Sequence, residues 1–259
     1  MFKDGFRPGS AGERLITLFG IALVVFLIWA GLSTLYPVYI LPSPGEVVRR
    51  ARELFGQSGL FALHFRTTLV EALLGFGLGA GVALPLSYLL ARHPRLDRLL
   101  TPMVVAIQAI PIVALAPLLV IWFGFGLTSK ILIAALTAFF PVLTNGVVGL
   151  RETDPRLKEL LGIMGAGKRQ IFFKVEIPSA LPVIFGGLRM GLTLSVIGAV
   201  VGEFSGAGQG LGYLVYFARG TFDTPLIFIA LLALAVLGVG FYLIISWLEA
   251  VVMPWQRKD

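Results

Sequence analysis

Apolar runs long enough to cross a bilayer alternate along the chain with short polar stretches. They fall near residues 15–35, 67–90, 99–122, 130–150, 179–201 and 225–251. A membrane-crossing helix needs about 20 predominantly apolar residues, and the runs meet that length. The pattern predicts an all-α polytopic membrane protein with six transmembrane helices. An even number of crossings puts both termini on one side.

The polar stretches decide which side. Lys3, Arg7 and Arg14, the loop "ARHPRLDR", the segment 151–178 and the tail 252–259 together hold fourteen of the 21 Lys and Arg residues. The opposite face holds Arg49, Arg50, Arg52, Arg66, Lys130 and Arg219. Cytoplasmic loops are enriched in Lys and Arg, so both termini are expected inside. The formal charge of +7 is then a record of topology and no sign of nucleic-acid binding. The first run exceeds a signal peptide's apolar region, and no small-residue cleavage pattern follows it. It reads as a retained span. The expected organisation is a cytoplasmic N-terminus (1–14), a first helix with an outer connector (15–66), a five-helix core (67–251) and a cytoplasmic tail (252–259).

Composition narrows the chemistry. The chain is 57% hydrophobic and 14% charged, where soluble domains carry about a quarter charged residues. It has no cysteine, which excludes disulfides, thiolate metal sites and cysteine nucleophiles. His64 and His93 are too few and too far apart for an expected metal site. No Ser–His pair, paired Asp or His cluster lies within the runs, so no catalytic residue or cofactor is expected.

Inside the runs, Gly75/Gly79, Gly77/Gly81, Gly187/Gly191 and Gly198/Gly202 have the spacing that lets membrane helices approach closely. Pro102, Pro111 and Pro117 bend the third span. Gln108 beside Pro111 either bonds a neighbouring helix or lines a pathway. Arg189 lies mid-span, where an ionisable group is costly and usually paired or facing water. It either pairs between helices, with Glu71 as a partner, or attracts an anionic substrate. Glu203 and "SGAGQGLGYL" read as an outer turn, with a gate or external contact as the alternative. Asp223 is expected to cap the sixth span. "LPSPGEVVRRARELF" reads as an amphipathic helix at the outer interface.

The segment 151–178, "RETDPRLKELLGIMGAGKRQIFFKVEIP", has a helix start at Asp154–Pro155. Leu157, Leu160, Leu161 and Met164 follow at helical spacing. Two short helices are predicted around a Gly165–Ala166–Gly167 turn, with Pro178 stopping the second before span five. Gly162, Gly167 and Lys168 match a phosphate loop, but Arg169 stands where Ser or Thr is needed and no strand is predicted ahead of it. The glycines are better read as a turn, and the exposed apolar face needs a partner.

The loop resembles that of binding-protein-dependent ABC importer permeases, whose pattern is E-A-A, three residues, G, nine residues, I-x-L-P. Glu159, Gly165, Val175, Ile177 and Pro178 match it, while Leu160 and Leu161 replace the alanines. "LGFGLGAGVALPLSYLLA", "IPIVALAPLLVIWFGFG" and "GLRMGLTLSVIGAVVGEF" are similar to the nitrate/sulfonate/taurine branch. The resemblance implies a type I permease fold in the bacterial cytoplasmic membrane. It also implies a second permease copy in a homodimer, two separate ABC ATPase subunits that bind the ATP, and an external substrate-binding protein. Leu160, Leu161, Met164 and Ala166 would fill a groove on the ATPase around the turn at Gly165, with Glu159, Lys168 and Arg169 at its rim and Pro178 closing the motif. Gln108, Pro111, Arg189 and Glu203 are the candidate pathway residues. The solute would be nitrate-, sulfonate- or taurine-like, or a vitamin precursor. A transporter or channel working without ATP is the alternative.

Overall fold

The computed structural model describes residues 11–56 and 59–256. Eleven α-helices run through them in chain order: α1 (Ala11–Leu32), α2 (Pro44–Gly56), α3 (Leu60–Arg92), α4 (Pro94–Gln108), α5 (Ile112–Phe123), α6 (Leu127–Arg151), α7 (Pro155–Ile163), α8 (Lys168–Ile171), α9 (Ile177–Phe204), α10 (Leu211–Gly220) and α11 (Thr224–Val252). No strand occurs among the described residues. Lys3, Arg7, Arg257 and Lys258, used above to orient the chain, lie outside them.

Among the described residues, four stretches are single helices long and apolar enough to cross a membrane: α3, α6, Lys168–Phe204 and α11. The third predicted span is instead two helices, α4 and α5, bent by 92°. Pro111 makes this break. It sits in extended backbone (φ −60°, ψ 123°) ahead of α5, lacks an N–H, and disfavours helix in the residue before it. Pro102 and Pro117 stay inside their helices. In α1 the apolar stretch is Phe19–Leu32. It holds to the rest mainly through Trp29, which stacks on Phe228 and donates its Nε1–H to the Pro42 carbonyl at 3.0 Å.

Pro178 does not stop a helix, contrary to expectation. The chain is helical from Lys168 to Phe204, through a π-helical turn at Phe172–Glu176. There the Ile177 N–H reaches back to the Phe172 carbonyl, and the widened turn lets the helix pass the proline. Such turns are rare and often mark functional sites.

α6 is the centre of the molecule, packed along α3 on one side and α9 on the other. The glycine pattern is the cause. A side chain at Gly75 would strike Ala134, and at Gly79 it would strike Ala135 and Ala138. Gly187 abuts Pro141 and Asn145, Gly191 abuts Ala138 and Val142, Gly198 abuts Ala134 and Thr137, and Gly202 abuts Lys130. Every one of these partners lies on α6. Gly77 and Gly81 meet nothing within 4 Å, so only one of the two glycine pairs of α3 is a contact. Ala72, Ala83, Ala134, Ala138 and Ala199 are fully buried in the same seam. Small residues suit this place because lipid supplies no hydrophobic drive, and close van der Waals packing must hold the helices.

Candidate functional site

At the end of the molecule where the basic loops collect, Asp154 accepts the Arg156 N–H at 2.8 Å and starts α7. The helix ends in the expected glycine turn. Gly165 has φ +81°, its N–H bonds the Gly162 carbonyl, and the Ala166 N–H bonds the Leu161 carbonyl at 2.9 Å. A left-handed residue is costly for any side chain but glycine's hydrogen. The Gln170 side chain accepts the Gly167 N–H at 3.0 Å, so "GIMGAGKR" is a helix–turn–helix with no strand ahead of it.

Beyond this turn the apolar side chains point outward. Leu160 is 54%, Met164 73% and Ile163 79% exposed. Leu161 and Ala166 are half-buried, while Glu159, Lys168 and Arg169 are exposed. Ile163, the most exposed of the set, stands outside the Leu157, Leu160, Leu161 and Met164 series that the sequence reading follows. Its position beside the turn, next to Met164, was the available signal. Pro178 is remote from this face, inside the long helix.

The four candidate pathway residues do not come together. Gln108 and Pro111 share a cavity of about 280 Å³ at the α4–α5 break, walled by Thr137, Phe140 and Ile197. Arg189 and Glu203 do not line it. Arg189 is paired with Glu249 of α11, and its guanidinium lies 4.9 Å from the Tyr242 ring centroid. The expected Arg189–Glu71 pair therefore does not form. Glu71 instead meets Lys130 of α6 at 3.1 Å, with both side chains buried. Lys130 had been counted as a loop charge, because it opens its apolar run and looks solvent-facing in one dimension.

Glu203 is buried at the far end of α9, beneath the glycine-rich segment. That segment is more than a turn, since α10 grows directly out of it. The first N–H groups of a helix have no partner within it, and here buried side chains supply them. The Gly210 N–H donates to His64 Nδ1 at 3.0 Å, the Leu211 N–H to Thr68 Oγ1 at 2.8 Å, and the Gly212 N–H to the Glu203 carboxylate. Thr68 also donates its hydroxyl to Glu203 at 2.6 Å. Acceptor oxygens suit the positive end of the α10 dipole. Glycine is required at Gly210, where φ is +119° and a side chain would collide with Glu203. Glu71 lies next to Glu203, so α3, α6, α9 and α10 share one buried polar cluster. Among the described residues no group of His, Asp and Glu is arranged to hold a metal ion.

Comparison with known proteins gives the family and the fold. Residues 75–258 match the family model described as the binding-protein-dependent transport system inner membrane component. The riboflavin transport system permease protein RibX of Chloroflexus aurantiacus is 47% identical, over 91% of this chain and 88% of that protein. The formylaminopyrimidine transport permease protein ThiX of Halalkalibacterium halodurans is 39% identical, over 85% of this chain and 88% of that one. A structure described as an inward-facing conformation of the MetNI methionine ABC transporter shares the fold. Its TM-score is 0.65 at 22% identity, over 73% of this chain and 94% of that one. The chain belongs to the family of binding-protein-dependent inner membrane transport components, and it is a multi-pass ABC importer permease of the bacterial inner membrane, in the sulfonate- and taurine-like branch.

Proposed function

We propose that this permease carries a small, uncharged heterocyclic solute of the vitamin or vitamin-precursor kind, in preference to a sulfonate or taurine. The observation that supports the choice is the neutralisation of Arg189 by Glu249. With that pair formed, the candidate pathway offers no free cation to an anionic solute among the described residues. The cavity at the α4–α5 break offers an aromatic ring (Phe140), an amide (Gln108), a hydroxyl (Thr137) and apolar walls. Pockets of mostly apolar lining with a few polar groups suit small organic ligands. The relatives at 47% and 39% identity are named for riboflavin and formylaminopyrimidine transport, which points the same way.

The rest of the machine follows the family. An external binding protein delivers the solute, a second copy of the permease completes the pathway, and two separate ATPase subunits bind the ATP. The loop 151–178 carries the coupling: Leu160, Ile163 and Met164, exposed on α7, enter a groove on the ATPase around the Gly165 turn. The docked state must differ in free energy between the two helix arrangements, or ATP could not shift them.

Uptake by proteoliposomes holding the permease, its ATPase and its binding protein tests the reading. Labelled riboflavin or a formylaminopyrimidine accumulates only with internal ATP, and taurine does not. Accumulation of taurine alone would overturn the choice of solute, and accumulation without ATP would favour a self-sufficient transporter.

A further inference from the structure

Behind the α7 turn, the basic end of the molecule holds a cavity of about 510 Å³. Four cations line it: Arg92 from the end of α3, Lys158 from α7, and Lys168 and Arg169 from the start of the long helix. One carboxylate, Glu176, faces them. Glu176 is buried and already taken, by an ion pair with Arg92 and another with Lys158 at 3.0 Å. Lys168 and Arg169 have no carboxylate partner among the described residues. The Arg169 guanidinium lies over the Phe173 ring, at 5.9 Å from its centroid. The cavity therefore has a large local excess of positive charge, with two cations unmatched.

Its walls fix where it sits. Arg92 lies over Tyr88 at 5.4 Å and over Phe172 at 5.7 Å, and the two rings touch edge to face at 5.1 Å. Both aromatic residues stand at the ends of membrane-crossing helices, the level where amphipathic rings gather at the headgroups. A second cavity of about 230 Å³ borders the same Arg92, Lys158 and Glu176 and adds Arg151. The volume of the main cavity lies within the ~300–1,000 Å³ of small-ligand sites. Basic pockets between crossing helices, on the positively charged side, match anionic phosphate headgroups.

We propose that this cavity binds a phosphate-bearing anion, with Lys168 and Arg169 as its recognition residues and Arg92 and Lys158 as supports held in place by Glu176. The chemistry admits two sources, the headgroup of an acidic phospholipid and free phosphate. An occupant there touches both α7 and the end of α3, so it stiffens the loop against the helix bundle. The site needs no ATPase subunit. Binding to the full-length permease alone therefore separates it from the docking role of the same loop.

The full-length chain is placed in phosphatidylcholine vesicles with a minor fraction of phosphatidylglycerol, extracted gently, and its retained lipid measured by mass spectrometry. A parallel arm offers inorganic phosphate in phosphatidylcholine alone. Wild type retains phosphatidylglycerol, less so as sodium chloride is raised. The exposed pair Lys168→Gln/Arg169→Gln retains it roughly tenfold less or lower, and the charge-preserving Lys168→Arg/Arg169→Lys restores it. Binding of inorganic phosphate by wild type but not by the glutamine pair supports the site with the free ion as its source. Equal retention by wild type and the glutamine pair, salt-independent retention, or no binding of either probe overturns the proposal. The salt series needs no variant, so it decides even if the glutamine pair does not fold.

Discussion

The seam around α6 and the outer face of α7 use hydrophobic residues in opposite ways. Along α6 the apolar atoms are small and hidden: Ala134 and Ala138 are fully buried, and glycines of α3 and α9 rest directly on them. On α7 and its C-terminal turn the apolar atoms are large and uncovered, with Ile163 and Met164 among the most exposed large apolar side chains described. Both features would pass for greasy helix in a composition count. The difference teaches where the chain covers its own apolar surface and where it leaves that surface open. A membrane-buried interface closes by removing side chains until backbones touch. On the proposed reading, a docking face keeps its bulk on offer.

The largest expected effect lies in the finished region. Lys130→Ala leaves the buried Glu71 carboxylate without its partner at 3.1 Å. Breaking a buried pair typically costs about 3–5 kcal/mol, so the variant should be recovered from membranes at a small fraction of wild-type yield. Near-normal yield and melting would mean the cluster is solvated. Gly198→Leu comes next, since even a single added carbon would strike Ala134 and Thr137. Overpacking costs about 1–3 kcal/mol, read as a lower Tm in detergent. Gly77→Leu is the matched control. It has open space and should melt within a degree or two of wild type, and an equal loss in both variants would dissolve the contrast between the two glycine pairs. The smallest effect on stability is expected on α7, where Leu160→Asp and Met164→Asp face solvent and should change Tm hardly at all.

The long apolar runs and the glycine spacing were readable because each depends only on neighbours three or four residues away. The Asp154 and Asp223 caps were readable for the same reason; Asp223 accepts the Leu226 N–H at 3.2 Å. What one dimension hid was pairing at long range. Arg189 reads as an intramembrane charge, but its partner Glu249 lies sixty residues on, near the end of the last span, and no local pattern links the two. Thr68 and His64 gave no sign of receiving the α10 N–H groups, since the segment between Ser205 and Gly210 reads as plain turn until its helix is placed. The sharp break at Pro111, in contrast with the passage through Pro178, depends on the backbone around each proline. A π-turn takes up the second, and nothing takes up the first. Around α7 the sequence indicated the glycine turn and the exposure of Leu160 and Met164, but not that of Ile163.

The central claim is that the α7 face is built for a separate ATPase. It is tested most directly by co-purification of the tagged permease with its ATPase subunits, comparing wild type with Leu160→Asp/Met164→Asp. The account predicts that the double variant inserts, melts and elutes like wild type while its ATPase recovery falls by tenfold or more. Undiminished ATPase recovery with that variant would contradict it.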